Sequence, residues 1–231
     1  MTRLVAVLLV LLSASGLAAE PVRVAVLYFD IRSNEKSLEV LSKGLAELMI
    51  TDLVQSTDLA VVERARLEEV LAELKLGETR FSDPKTAARV GKLVGAQFMV
   101  VGGIIEGVRL SRDGKLNHHV LDVKVLDIEK SQYVGQASVR IPIDPDDFFA
   151  AEAKAVTEVA KLLVQAGAGK RAEPPPQKTH KLPLDTAAKY ARALDAKDKK
   201  KKDDAVKLLN EVVREQPDFK LAQLDLLNLT K

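Results

Sequence analysis

The run Val22 to Ile31 (VRVAVLYFDI) is almost unbroken in apolar residues, the pattern of a strand buried on both faces. The period then changes. From about Glu35 to Val54, Leu38, Leu41, Leu45, Leu48 and Met49 fall on one helical stripe. Leu59 to Glu63 predicts a short strand. Arg64 to Leu76 predicts a helix burying Leu67, Val70, Leu71 and Leu74, with Gly77 as its stop. Asp83-Pro84 reads as a cap followed by a first-turn proline, opening a helix that carries Ala87, Val90, Gly91 and Val94 and ends near Gly95.

Alternation then takes over. Gln97 to Leu110, His118 to Ile128 and Gln132 to Ile143 predict an antiparallel meander, with an Asp113-Gly114 turn signal between the first two. Leu121, Val123 and Val125 share one face; Tyr133, Ala137, Val139 and Ile141 are expected to share one on the last strand. A closing helix, about Asp146 to Ala166, has Phe149, Ala153, Val156, Ala160 and Leu163 as its stripe. The fold class expected is α/β (α+β): a mixed sheet of about five strands covered by helices, then a small all-helical tail.

Residues 168–184 break the periodicity with Gly169, Pro174-Pro175-Pro176 and Pro183, and read as a semi-extended linker. Beyond it, Thr186 to Ala196 and Asp204 to Glu215 predict two helices, and a third begins near Pro217-Asp218. Ala205, Leu209, Val212 and Pro217 match the second-helix positions of a tetratricopeptide repeat, with Leu and Val standing for the usual Phe and Ala; the first helix lacks the usual Trp and Gly.

The first residues have a different pattern. Arg3, the apolar run Leu4 to Leu12, and the small residues up to Ala19 have the three parts of a secretory signal, with cleavage expected after Ala18 or Ala19. The apolar run is shorter than the roughly 20 residues a spanning helix needs. The expected organisation is therefore 1–19 signal peptide, 20–167 α/β domain, 168–184 linker and 185–231 helical segment.

Composition narrows the chemistry. There is no cysteine, so disulfides, thiolate zinc ligands and thiol nucleophiles are excluded, as is the lipidation cysteine that a bacterial lipoprotein carries after its signal. Net charge is +2, unevenly spread. Residues 20–167 hold 19 Lys and Arg against 23 Asp and Glu; residues 168–231 hold 15 against 10. The basic excess centres on Lys199, Lys200, Lys201 and Lys202. With no tryptophan and few other aromatics nearby, this is a solvated turn or a weak contact for anionic lipid headgroups rather than a nucleic-acid site.

No catalytic constellation stands out. His118-His119 point to opposite faces of a strand and His180 lies in the linker, so no metal site is expected. Glu63-Arg64 sits at a strand-to-helix corner and reads as a structural ion pair or helix-start contact. Gly102-Gly103 is not followed by a helix whose N-terminus could hold phosphate, and marks a bulge or a close backbone approach. Asp144, Asp146 and Asp147 suit a helix start. No cofactor is expected.

Four segments resemble the family of the curli production assembly/transport component, CsgG. They are Val24 to Asp30, Val61 to Leu76 with Glu63, Arg64, Leu67 and Glu73, Ala87 to Ala96 ending in Gly95-Ala96, and Phe98 to Ile105 with Gly102 and Gly103. The same domain type is similar to lipoproteins that activate peptidoglycan synthases and to flagellar-associated outer-membrane proteins. The resemblance implies this fold and an envelope setting. It does not imply a pore: the connections after Ile105 and after Asp127 are too short for membrane-crossing hairpins, whose strands need roughly 9 to 11 residues each. The expected function is a non-catalytic periplasmic assembly, scaffolding or accessory factor with protein partners or self-association. A ring-forming subunit or accessory of an outer-membrane secretion channel is the alternative.

Overall fold

The structure is a computed structural model describing residues 20–32, 36–76, 83–106, 118–142, 148–176 and 181–231. The signal segment with its Ala18 and Ala19, the Asp113-Gly114 turn, the Asp144–Asp147 cluster, Gly77 and His180 lie outside the described residues.

The order is β1 (Arg23–Val26), β2 (Asp30–Arg32), α1 (Lys36–Glu39), α2 (Leu41–Ser56), β3 (Ala60–Val61), α3 (Arg64–Glu73), α4 (Pro84–Leu93), β4 (Phe98–Glu106), β5 (His118–Asp127), β6 (Gln132–Pro142), α5 (Phe148–Gln165), α6 (Leu184–Asp198), α7 (Lys202–Glu215) and α8 (Lys220–Thr230). The sheet is mixed, in the order β3-β1-β4-β5-β6, with β2 also pairing β4. The pairs β1–β3, β1–β4 and β2–β4 are parallel, and β4–β5–β6 is an antiparallel meander.

The sheet has six strands rather than about five because the first strand is broken. Val26 stands opposite Val100 and Asp30 opposite Gly103, so Leu27, Tyr28 and Phe29 face only two residues of β4. This one-residue excess is a bulge. The glycine pair fits against it. A Cβ on Gly103 would lie 2.1 Å from the Asp30 carbonyl oxygen, and one on Gly102 would lie 2.3 Å from that of Asp122 and 2.9 Å from the Phe29 ring.

Two further expectations are corrected. A bulge at Val134, between the Val125–Gly135 and Leu126–Tyr133 pairs, turns Tyr133 off the face of Ala137, Val139 and Ile141 and leaves it partly exposed. Helix α3 ends at Glu73, ahead of Leu76. Lys75 takes the left-handed conformation (φ +54°) there, and the Lys75 and Leu76 amides return to the Ala72 and Leu71 carbonyls, closing the helix before Gly77. Helix α4 starts as expected, the Asp83 carboxylate accepting from the Lys85 and Thr86 amides.

Helices cover the sheet unevenly. A Cβ on Gly135 would meet Leu162, which places α5 on the face of Val100, Val125 and Gly135; α2 lies beside α5. On the other face α4 packs over Met99 and Ile128, while the stretch around Gly103 stays open. Among the described residues no helix is long and apolar enough to cross a membrane.

The helical tail docks. α6 lies along α2, so closely that a Cβ on Gly44 would fall 2.8 Å from the Ala191 Cβ. Phe219, between α7 and α8, packs edge-on against Phe149 of α5 and Tyr190 of α6, with ring centroids 5.6 and 4.9 Å apart. One apolar cluster runs from Val24 to Ala222. The stretch joining the tail to α5 is stitched down in its described part. The Asp58 carboxylate accepts from the Lys170 and Arg171 amides, the Arg171 guanidinium donates to the Gln55 and Thr57 carbonyls, and Leu182 is fully buried.

Candidate functional site

Among the described residues, charge gathers at the junction between α2, α3 and α6 and on the open part of the sheet.

The junction grows from helical spacing. Lys43 and Glu47 stand four apart on α2, Arg64 and Glu68 four apart on α3, and Asp195 and Asp198 three apart on α6, so each pair shares a face. Docking brings the three faces together. Lys43 Nζ lies 3.1 Å from both Asp195 Oδ1 and Asp198 Oδ2, and 5.5 Å from the Tyr28 ring centroid. The Arg64 guanidinium donates to Glu47 (2.8 Å), Asp198 (2.7 Å) and the Tyr28 hydroxyl oxygen (3.4 Å), and Tyr28 donates to Glu68. The Lys43, Arg64 and Asp198 side chains are nearly buried.

The electrostatics are those of a clasp. Burial, helped by Glu68, pushes the Tyr28 hydroxyl far above its ordinary value. Burial pulls Lys43 and Arg64 down, but the hydrogen bonds and charge contacts of Lys43 with Asp195 and Asp198, and of Arg64 with Asp198, win, and both are held above their ordinary values. Burial raises Glu47 despite Arg64. A general acid or base is useful when its pKa approaches the working pH; Lys43, Arg64 and Tyr28 move away from neutrality.

The predicted site residues divide accordingly. Arg64 enters the clasp, but Glu63 does not: it is the exposed residue ahead of α3 and makes no capping hydrogen bond there. Leu67 is buried, Glu73 exposed, and Gly95 closes α4 with φ +72°. Ala205, Leu209 and Val212 are the buried residues of α7, and Pro217 lies in the turn after it. Lys199 pairs with Asp195, while Lys200, Lys201 and Lys202 are exposed. His119 is buried and its neighbour His118 half-buried, consistent with opposite faces. Among the described residues no group of three or more His, Cys, Asp or Glu could hold a metal ion.

Lys43, Glu47, Asp195 and Asp198 escape sequence reasoning, because Asp198 reads as a flank of the lysine run. The one available signal is Lys43 itself, a charge set among Leu41, Gly44, Leu45 and Ala46.

The open sheet face holds a groove of about 260 Å³ lined by Tyr28, Asp30, Arg32, Val101, Gly103, Ile105, Asp122, Lys124 and Tyr133, among others. Its charges are paired: Arg32 with Asp30 at 2.6 Å and Lys124 with Asp122 at 3.7 Å, Lys124 also lying over the Tyr133 ring. Ile105 is 41 % exposed and Tyr133 36 %, which gives the groove an apolar rim over a polar floor.

No curated protein matches the chain. Among solved structures it is similar to the LpoB C-terminal domain from Salmonella enterica (15 % identity, 52 % of this chain and 82 % of that one, TM-score 0.43). It is also similar to lipoprotein GNA1162 from Neisseria meningitidis (13 %, 64 % and 99 %, TM-score 0.38) and to the PelC dodecamer from Paraburkholderia phytofirmans (11 %, 62 % and 88 %, TM-score 0.35). At these scores nothing about this chain's partners or assembly follows from them. The family match is more informative. Residues 7–117, which take in β1 through β4, match the family described as curli production assembly/transport component CsgG, and this match supports a likeness of that part of the chain to the family.

Proposed function

We propose that the protein is a non-catalytic factor of the bacterial cell envelope that works through protein contacts, in an assembly, scaffolding or accessory role. The observation that carries this reading is the family match over residues 7–117. The saturated clasp is consistent with it, since its cations are committed to carboxylates from three helices. In this reading the chain is exported, cut after Ala18 or Ala19, and free of a lipid anchor. Residues 20–167 form the CsgG-like unit. Residues 185–231 form a single tetratricopeptide-like hairpin with one further helix; it uses α2 in place of the neighbouring repeats that such hairpins need. The groove rimmed by Ile105 and Tyr133 is the partner surface, because exposed apolar groups beside paired charges are what a protein interface presents.

The test is chemical crosslinking and capture from the periplasm of the native host, comparing the natural chain with an Ile105→Arg, Tyr133→Asp variant. The expected result is a defined partner, or a second copy of this chain, lost in the variant. A catalytic turnover intrinsic to the purified protein would refute the reading, as would identical captures from both chains.

A further inference from the structure

We propose that the outer face of α8 and the α6–α7 turn together form a surface that rests on an anionic lipid bilayer. Lys220, Leu224, Leu227 and Lys231 recur at spacings of four, three and four, which puts them on one stripe of the helix. The stripe faces outward: Leu224 is 55 % and Leu227 50 % exposed, while Ala222 is buried. Asp225, off the stripe, is spent inward on Tyr190 (2.9 Å) and Lys197 (2.5 Å) of α6.

That inward contact also sets the position of α8. Lys197 is near the end of α6, so the middle of α8 is tied to the end of α6 that leads into the turn carrying Lys199 to Lys202. Lys200, Lys201 and Lys202 are exposed there. Lys200 sits at φ +57°, where glycine would be easier, so the turn carries a cation at a position that favours no side chain. The neighbouring Asp203 and Asp204 lie in the first turn of α7, where the helix dipole accounts for them.

The occupant follows from charge and area. The stripe carries lysines at both ends and no acid, so an antiparallel pairing of two copies would set Lys220 against Lys231. Two leucines also supply little of the roughly 800 Å² per side of a standard protein interface. A bilayer needs no such area: short apolar side chains enter the headgroup boundary, and each nearby lysine adds attraction to anionic lipid.

The test is sedimentation of the exported protein with vesicles of phosphatidylcholine alone or with phosphatidylglycerol, at low and high salt. The expected result is binding only where phosphatidylglycerol is present, weakened by salt. It falls by about a hundredfold or more in the triple variant K200E/K201E/K202E, since each lysine near an anionic surface contributes roughly a fivefold factor. It falls less in L224S/L227S. All these positions are exposed, and unchanged thermal unfolding confirms that the variants fold; should L224S/L227S not fold, the lysine variant decides alone. Equal binding to neutral vesicles, no binding to either kind, natural binding by the lysine variant, or capture of an acidic protein without any vesicle binding would each overturn the proposal.

Discussion

Arg64 and Asp198 show how a few atoms hold the tail to the sheet. Two cations share one carboxylate in a nearly dry site, Arg64 at 2.7 Å and Lys43 at 3.1 Å. Removing one member of a buried charged group leaves its partners uncompensated, which costs about 3 to 5 kcal/mol. Because the remaining carboxylates soften the loss, Asp198→Asn should lower unfolding stability by about 3 kcal/mol in urea titration; an unchanged midpoint would mean that the clasp is ornamental. Asp58 gives a pH signature. The Lys170 and Arg171 amides hold its carboxyl below the ordinary value. A depressed carboxyl adds stability that is complete above the ordinary carboxylate range and is lost as pH falls through that range toward the folded-state pKa. Glu47 is raised by burial and contributes in the opposite direction, relaxing on acidification. Asp58→Asn should therefore reduce the loss of stability between neutral and acid pH, read as a flatter plot of melting temperature against pH. At this scale the sequence signals Arg64 as notable but not its partner, because Asp198 is 134 positions away and only docking unites them.

Elements were more legible than their ends. Apolar period located the strand and helix stretches of the α/β region, since that pattern depends on which face is buried, but it merged β1 with β2 and α1 with α2. Breaks in an element were not visible. The Leu27–Phe29 bulge sits inside an unbroken apolar run, and the Val134 bulge sits inside an alternation that continues on either side of it. Both depend on the neighbouring strand. The stop at Lys75 was hidden because a lysine rarely takes the left-handed conformation that Gly77 would take freely. The glycine pair marks the first bulge best. Gly102→Val should destabilise by about 3 kcal/mol or prevent folding, because its Cβ would meet both the Asp122 carbonyl and the Phe29 ring. Yield of soluble protein and thermal unfolding check this. Asp83→Ala should loosen only the first turn of α4, read as faster amide exchange at Lys85 and Thr86.

At the scale of the molecule, a mixed six-stranded sheet carries a small helical tail clasped across α2, and this arrangement leaves a sheet groove and a face of α8 outward among the described residues. The composition shift at residues 168–184 shows where the chain changes character, but not that the tail returns to the sheet. Return depends on Gly44 meeting Ala191 and on Phe219 lying between Phe149 and Tyr190, and none of these contacts is local. Gly44→Leu should lift α6 from α2 and make the 168–184 stretch sensitive to protease while the sheet persists. A photoreactive residue placed at Tyr133 in the native host, with Glu158 on the exposed side of α5 as the control position, asks directly whether the open sheet face meets another protein. A discrete crosslinked product from position 133 and none from position 158 is predicted. Products from neither position, with the protein present at its normal level, would contradict a role that depends on contacts at this face.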